Sequence, residues 1–328
     1  MKLFIQIPCF NEEESLPITL KDLPRQIPGV EEIEILVIDD GSTDRTAEIA
    51  RSLGVRHIVR FTSHKGLAKA FMAGLDACLR LGADIIVNTD ADNQYRGEDI
   101  ARLIAPVVEG KADMVVGDRN IEAIGHFSPF KKRLQQIGSW VVRQVSGTDV
   151  QDTTSGFRAF SREAALRINI ISEFTYTLET IIQAGKKNIS LEHIQIGTNP
   201  KLRESRLITN IGDYVTRSIA NIIRIYAMYS PLKIFFLIGS FIFFLGFLIS
   251  LRFLYFYFYD PVGSHIQSLI LSAVLLILGF QIVMIGLLAD IISANRRLIE
   301  DALYRIRKME LNEKLEEKKD SKELYMEK

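Results

Sequence analysis

Asp90 and Asp92 stand one residue apart in Asn88-Thr89-Asp90-Ala91-Asp92-Asn93-Gln94, directly after an apolar run. Two carboxylates so spaced at a strand end, where alternation breaks, can converge on one hard divalent cation; oxygen ligands suit Mg2+ or Mn2+. Such ions keep waters and bind substrate phosphates, so the chemistry indicated is the handling of a phosphorylated molecule. Gln94 offers an amide oxygen to the ion or orients a water. A solvated acidic turn would carry the same residues. A second cluster, Val37-Ile38-Asp39-Asp40-Gly41-Ser42-Thr43-Asp44, runs a buried strand into two aspartates, a glycine turn and a helix start. Its carboxylates could accept hydrogen bonds from a nucleobase edge, and the helix N-terminus suits an anion. The same residues also make good turn and N-cap chemistry. A third cluster, Pro8-Cys9-Phe10-Asn11-Glu12-Glu13-Glu14, likewise ends a strand and opens a helix.

What must position these clusters is an alternation of strands and helices. The pattern predicts strands at Leu3 to Pro8, Ile33 to Asp39, His57 to Phe61, Ile85 to Thr89 and Met114 to Gly117. Helical stretches such as Thr43 to Leu53 and Gly66 to Leu81 lie between them. This alternation implies an α/β fold with a mixed, mostly parallel sheet covered by helices. Ligands bind such sheets outside the carboxyl ends of the strands, where all three clusters fall.

The 328 residues suit a catalytic domain with an appendage. Lys+Arg and Asp+Glu are both 40, and the lack of a basic excess argues against nucleic acid as a partner. The two cysteines, Cys9 and Cys78, have no metal-ligand spacing and read as buried thiols. No signal peptide is evident, so residues 1–208 are expected to form a cytoplasmic catalytic domain. From Thr209 the pattern changes. Ile211, Val215, Ile219, Ile222 and Tyr226 recur at helical spacing, with Asp213, Arg217, Asn221 and Arg224 off that stripe. Residues 209–230 thus predict an amphipathic helix in a membrane interface, or a surface helix packed on the sheet. Residues 231–292 hold two apolar stretches, Ile234 to Leu251 (resuming past Arg252) and Ile266 to Ala289, each long enough to cross hydrocarbon. Lys and Arg flank this hairpin but are absent from Phe253 to Asn295, which predicts two spans with both termini cytoplasmic. Residues 293–328 predict a charged helical tail, self-associating into a homo-oligomer or simply solvated.

The three clusters, in this order and at these separations, resemble the family 2 glycosyltransferases, whose common architecture is called GT-A. The pattern is most like the dolichyl-phosphate-mannose synthase and polyprenyl-phosphate glycosyltransferase branch, over roughly Lys2 to Arg224, and the two spans fit that branch as well. The resemblance implies that Pro8, Phe10 and Glu12 cradle the donor nucleoside, with Phe10 where the family often has Tyr. It implies base and ribose contacts for Asp39 and Asp40, a donor-side loop role for Lys65, and a metal site at Asp90, Asp92 and Gln94. Arg203 and Arg206 match a basic pair that clamps the donor diphosphate. Arg119, in Gly117-Asp118-Arg119, and Arg133, in Phe130-Lys131-Lys132-Arg133, match ligands of the acceptor phosphate. Lys131 to Arg133 also suit anionic membrane lipids. Asp152-Thr153-Thr154-Ser155-Gly156-Phe157-Arg158 matches an element shaping the acceptor side.

The activity so implied is transfer of a hexose from a GDP- or UDP-linked sugar to polyprenyl or dolichyl phosphate, with inversion and with a divalent cation. A phosphate acceptor needs no general base, because its second pKa is near 6. Two other readings fit parts of the pattern: transfer to a saccharide or lipid hydroxyl, which needs a base, and a membrane-bound scaffold that only binds nucleotide-sugars.

Overall fold

The computed structural model describes residues 1–119, 129–172, 176–200, 216, 220, 224, 229, 231–259 and 266–326, without the side chains of 129–135 and 314–326. Five strands form within two residues of the limits that the apolar, β-branched runs predict: β1 (Lys2–Cys9), β2 (Glu32–Asp39), β3 (His57–Arg60), β4 (Ile85–Asn88) and β5 (Met114–Asp118). Two more, β6 (Arg158–Ser161) and β7 (Leu191–Gln195), escape the sequence pattern. Both are short, and β6 opens on an arginine, so neither offers an apolar run.

The seven strands lie in the order β3-β2-β1-β4-β6-β5-β7. All neighbours pair in parallel except β6, which runs against both β4 and β5. Strand order reverses beside β1, between β2 and β4, which opens a crevice at the carboxyl ends of those strands. Because β6 is antiparallel, its first residue, Arg158, lies opposite Asn88 and Val116 at that same edge. Helices α1 (Leu16–Asp22), α2 (Thr46–Ser52), α3 (Leu67–Arg80), α4 (Ile100–Val108), α5 (Pro129–Ser146), α6 (Arg162–Arg167) and α7 (Thr177–Lys186) complete the layers. Leu3, Ile5 and Ile7 of β1 are wholly buried, as are Val37, Val87, Ile100 and Leu103. Each such side chain contributes about 1.5–3 kcal/mol through burial. Cys9 and Cys78 lie in this core, and burial pushes both thiols up.

Residues 223–301 form a second compact unit. In it lie α8 (Pro231–Tyr259) and the first part of α9 (Ile266–Met326), both long and apolar enough to cross a membrane. Leu237, Phe241, Ile270 and Phe280 are 59–73% exposed on these helices. Apolar surface on this scale marks a membrane protein. The two helices approach closely at glycines. A Cβ on Gly239 would stand 2.8 Å from Gly279 O, and one on Gly279 would stand 2.6 Å from Phe243 N.

The charged tail expected over residues 293–328 is helical through Met326, as a continuation of the second apolar helix. α9 continues unbroken to Met326, since no glycine or proline interrupts it after Gly286. Residues 302–328 belong to the same compact unit as residues 1–222. There Tyr304 Oη donates to Glu163 Oε1 (2.6 Å), Arg167 lies 5.4 Å over the Tyr304 ring, and Leu311 is 8% exposed. The interfacial helix expected over 209–230 falls outside the described residues except at 216, 220, 224 and 229, which are helical.

Replacing Gly279 by leucine should overpack the hairpin at a cost of about 1–3 kcal/mol. Leu288→Val, at a side chain 59% exposed, should cost far less. Thermal unfolding of the full chain in detergent, followed by circular dichroism, checks this; equal midpoints for the two variants would contradict the close packing.

Candidate active site

The loop after β1 is stitched to the loop after β2. Asn11, at φ +55, donates its N–H to Ser42 Oγ (3.0 Å) and accepts from Thr43 N through Oδ1 (2.8 Å). Glu12 N donates to Thr46 Oγ1 (2.8 Å), and Ser15 Oγ donates to the buried Glu12 carboxylate. Asp39 caps the turn by accepting from Ser42 N (2.9 Å), while Arg60 Nε lies 3.0 Å from its other oxygen. Asp40 accepts from Lys65 N (2.7 Å) and Gly66 N (2.9 Å), with His64 Nδ1 2.9 Å from Oδ2. Asp40 thus holds the turn that leads into α3. That turn passes so close to Gly41 (φ +71) that a Cβ there would stand 2.5 Å from the Ser63 carbonyl carbon. The rings of Phe10 and His64 face each other at 4.0 Å, and Lys65 Nζ sits 4.9 Å over Phe61. Pro8 is buried at the end of β1.

Below them, polar side chains replace apolar ones in the strands. Gln6 Nε2 donates to Asn88 Oδ1 (2.9 Å), and Asn88 Nδ2 donates to Gly156 O (2.9 Å) and Tyr176 Oη (2.7 Å). Gly156 N donates in turn to Tyr95 Oη (2.9 Å). A Cβ on Gly156 would stand 2.9 Å from Asp90 Oδ2, so the glycine permits the carboxylate to lie against the backbone. Asp92 Oδ1 accepts from Gln94 N (3.1 Å), and Gln94 O and Asn93 O both take hydrogen bonds from Asn199.

Arg119 leaves the end of β5 and meets Asp152 in a forked pair. Nε donates to Oδ2 (2.7 Å) and Nη2 to Oδ1 (3.0 Å), while Nη2 also donates to Thr154 Oγ1 (2.9 Å). The Arg119 side chain is 9% exposed and that of Asp152 is fully buried. Burial opposes both charges, yet each stabilises the other, so Arg119 is held above its ordinary value and Asp152 below its own.

Asp90 stands apart electrostatically. Part of it reaches solvent, but protein surrounds it closely. Burial first and the Asp92 charge next raise its carboxyl to about 7, against a smaller opposing pull from Arg119. A crowded acid pair with no ion-paired cation among the described residues fits a divalent ion. The unpartnered Asn93 Oδ1, buried beside the pair, is a further acceptor without a donor among the described residues.

The structure therefore brings Pro8, Phe10, Glu12, Asp39, Asp40, Lys65, Asp90, Asp92, Gln94 and Arg119 to one edge of the sheet. Arg133 lies in α5, but its side chain is outside the described residues, as are Arg203 and Arg206. Sequence reasoning missed Tyr95, Tyr176 and the counter-ion role of Asp152. The visible signal was Gln6 and Asn88, two amides inside apolar strands that must find buried partners.

Comparison with known proteins adds a family. The model of glycosyl transferase family 2 matches residues 4–168, and that of the GtrB C-terminal hairpin matches residues 230–294. The chain is 32% identical to the undecaprenyl-phosphate mannosyltransferase of Micrococcus luteus, over 52% of this chain and 70% of the relative. It is 29% identical to the undecaprenyl-phosphate 4-deoxy-4-formamido-L-arabinose transferase of Pectobacterium atrosepticum, over 88% of this chain and 87% of the relative. Among solved structures, glucosyl-3-phosphoglycerate synthase of Mycobacterium tuberculosis, with Mn2+, UDP-glucose and phosphoglyceric acid, superposes with a TM-score of 0.56. The match has 18% identity and spans 69% of this chain and 80% of that one, a likeness of GT-A fold.

A pH dependence follows from Asp90. An unfolded aspartate ionises near 4, whereas the folded carboxyl keeps its proton to about 7. The folded state binds more protons in that window, so this group's stabilising contribution is full below about 4 and is lost as pH rises through about 7. A cation held by the ionised pair reverses the loss. Mn2+ or Mg2+ should accordingly raise the melting temperature far more at pH 8 than at pH 5.5, and Asp90→Asn should remove the difference. Melts in EDTA and in metal check this; equal shifts at both pH values would count against the acid pair as the site.

Proposed function

The chain belongs to glycosyl transferase family 2, and on that premise we propose that it transfers a hexose from a nucleoside-diphosphate sugar to a polyprenyl or dolichyl phosphate at the cytoplasmic membrane face. One observation carries this reading. At the carboxyl edge of the sheet Asp90 feels both the Asp92 charge and the buried Arg119–Asp152 fork, in a chain that also carries an apolar helical hairpin. The printed names of the Micrococcus and Pectobacterium relatives, both undecaprenyl-phosphate transferases, support the same acceptor class.

In this reading the loops bearing Pro8, Phe10, Glu12, Asp39, Asp40 and Lys65 receive the nucleoside. Asp90, Asp92 and Gln94 would hold Mg2+ or Mn2+, which when bound would supply Lewis-acid neutralisation of the departing diphosphate. Arg203 and Arg206 are assigned by resemblance to the same diphosphate. Arg119, with Arg133, grips the acceptor phosphate, and Asp152 fixes the angle at which the Arg119 guanidinium is presented. A phosphate oxygen attacks the anomeric carbon as the bond to the diphosphate breaks. The bonding pair leaves with the nucleotide, and attack from the opposite face inverts the centre. A phosphate mostly dianionic at neutral pH needs no base to take a proton. The catalytic work is to bring two anions together, and fixed cationic groups in a partly dry cleft do this at little reorganisation cost.

The distribution of Lys and Arg supports an orientation with two spans and both termini in the cytoplasm. Arg224 and Lys233 precede the first span, Arg296 and Arg297 follow the second, and none lies from Phe253 to Asn295. The acceptor's reactive phosphate sits at headgroup level, which gives an anchored enzyme its reason.

Membranes carrying the chain, incubated with labelled GDP- and UDP-sugars and polyprenyl phosphate, should yield a lipid-linked phosphosugar that mild acid cleaves. An acid-stable glycoside would replace this reading with transfer to a hydroxyl. Asp92→Asn should lower turnover by about 10²-fold or more while membrane insertion is unchanged. Full activity in that variant, or in EDTA, would remove the metal from the mechanism. Arg133→Ala should raise the KM for lipid phosphate and leave that for the nucleotide-sugar nearly unchanged.

A further inference from the structure

Arg158 is a wholly buried cation that the transfer chemistry does not use. It opens β6, opposite Asn88 on β4 and Val116 on β5. Its Nε donates to Ser155 O (2.8 Å), Nη2 to Thr153 O (3.0 Å), and Nη1 to Thr177 O (2.7 Å) and to Thr180 Oγ1. Its guanidinium carbon lies 5.8 Å over the Tyr176 ring. Each of these acceptors is a carbonyl or hydroxyl; no carboxylate touches the guanidinium among the described residues. Taking a cation out of water costs several kcal/mol, and an apolar side chain could fill the same volume more cheaply. The expense becomes intelligible from what the fork grips. Thr153 and Ser155 flank Thr154, whose hydroxyl, with Asp152, fixes Arg119. One residue on, Gly156 lies against Asp90.

We propose that Arg158 is a positioning residue for glycosyl transfer: gripping the backbone on both sides of Thr154 from beneath, it sets the angle at which Arg119 meets the acceptor. The proposal rests on the reading of Arg119 as the acceptor's ligand. The competing role is a plain staple between β6 and α7, through Thr177 and Thr180, with no consequence for Arg119.

Arg158→Lys separates the two. Lysine keeps the charge but has one ammonium where the fork spans four acceptors. In the purified full chain, kcat/KM for lipid phosphate should fall by about 10²-fold, the scale of a misplacement near 1 Å. The KM for the nucleotide-sugar should stay within about threefold. Asp152→Asn should then cost much less in the Arg158→Lys background than in the native chain, because both act through one guanidinium. Rates are taken per folded molecule from parallel melts, and Arg158→Gln, still a donor, serves if the lysine variant does not fold. Additive penalties, parallel rises in both KM values, or an unchanged kcat/KM would overturn the proposal and leave the staple. If the acceptor proves to be a hydroxyl, the proposed function fails, yet the same double-mutant cycle run on that acceptor still decides the role of Arg158.

Discussion

Charge crowding at the end of β4 is the constraint around which this catalytic unit is arranged. Asp90 and Asp92 lie one residue apart where protein restricts water, and repulsion between them helps keep Asp90 protonated to about 7. Among the described residues Arg119 offsets this only in part, being already committed to Asp152 through two hydrogen bonds. Opposed charges are therefore held apart in adjacent compartments: an acid pair short of positive charge, and a neutralised fork whose arginine is fixed in place. Such a site stores an electrostatic deficit that a divalent ion and a phosphorylated substrate can satisfy together. The surrounding polar contacts, from Gln6 through Asn88 to Tyr176 and Gly156, keep that deficit from relaxing into the core.

Much of this was legible in the residues. Apolar runs before Pro8, Asp39 and Asp90 located three strand ends, and parallel pairing brought those ends together. The helical hairpin was legible for a similar reason, since uncharged stretches of that length have few other uses. What stayed hidden involved side chains whose partners lie far away in sequence. Asp152 reads only as part of an element shaping the acceptor side until β6 returns beside β5 and sets it against Arg119, 33 residues earlier. Asp40 reads as a ligand for a base, and nothing local shows that its oxygens also accept from Lys65 N and Gly66 N. Strand β6 was hidden because it is four residues long and opens on a buried arginine, and burial of an arginine depends on carbonyls that no local pattern announces.

The hairpin follows a different physical rule from the sheet. In the sheet, apolar side chains face inward and the packing is dense. In α8 and the early part of α9 the apolar side chains face outward, and the helices touch through glycine. In lipid, association gains little from hydrophobic contrast and relies on close approach of backbones. Gly239, Gly246 and Gly279 allow that approach by omitting side chains. The tail obeys the water rule again, with Leu311 covered and Tyr304 bonded to Glu163.

The reversed direction of β6 divides the cleft into halves of separate origin. The loops bearing Phe10, Asp40 and Asp90 leave the ends of β1, β2 and β4, each strand delivering its loop to one edge of the sheet as it finishes. The segment from Asp152 to Phe157 enters from the opposite sense, ahead of a strand that then carries the chain away. Changes in length between α5 and β6 would remodel what faces Arg119 while the register of β1, β2 and β4 stays as it is. Under the proposed function, acceptor preference can thus diversify among such enzymes without disturbing the loops assigned to the nucleotide.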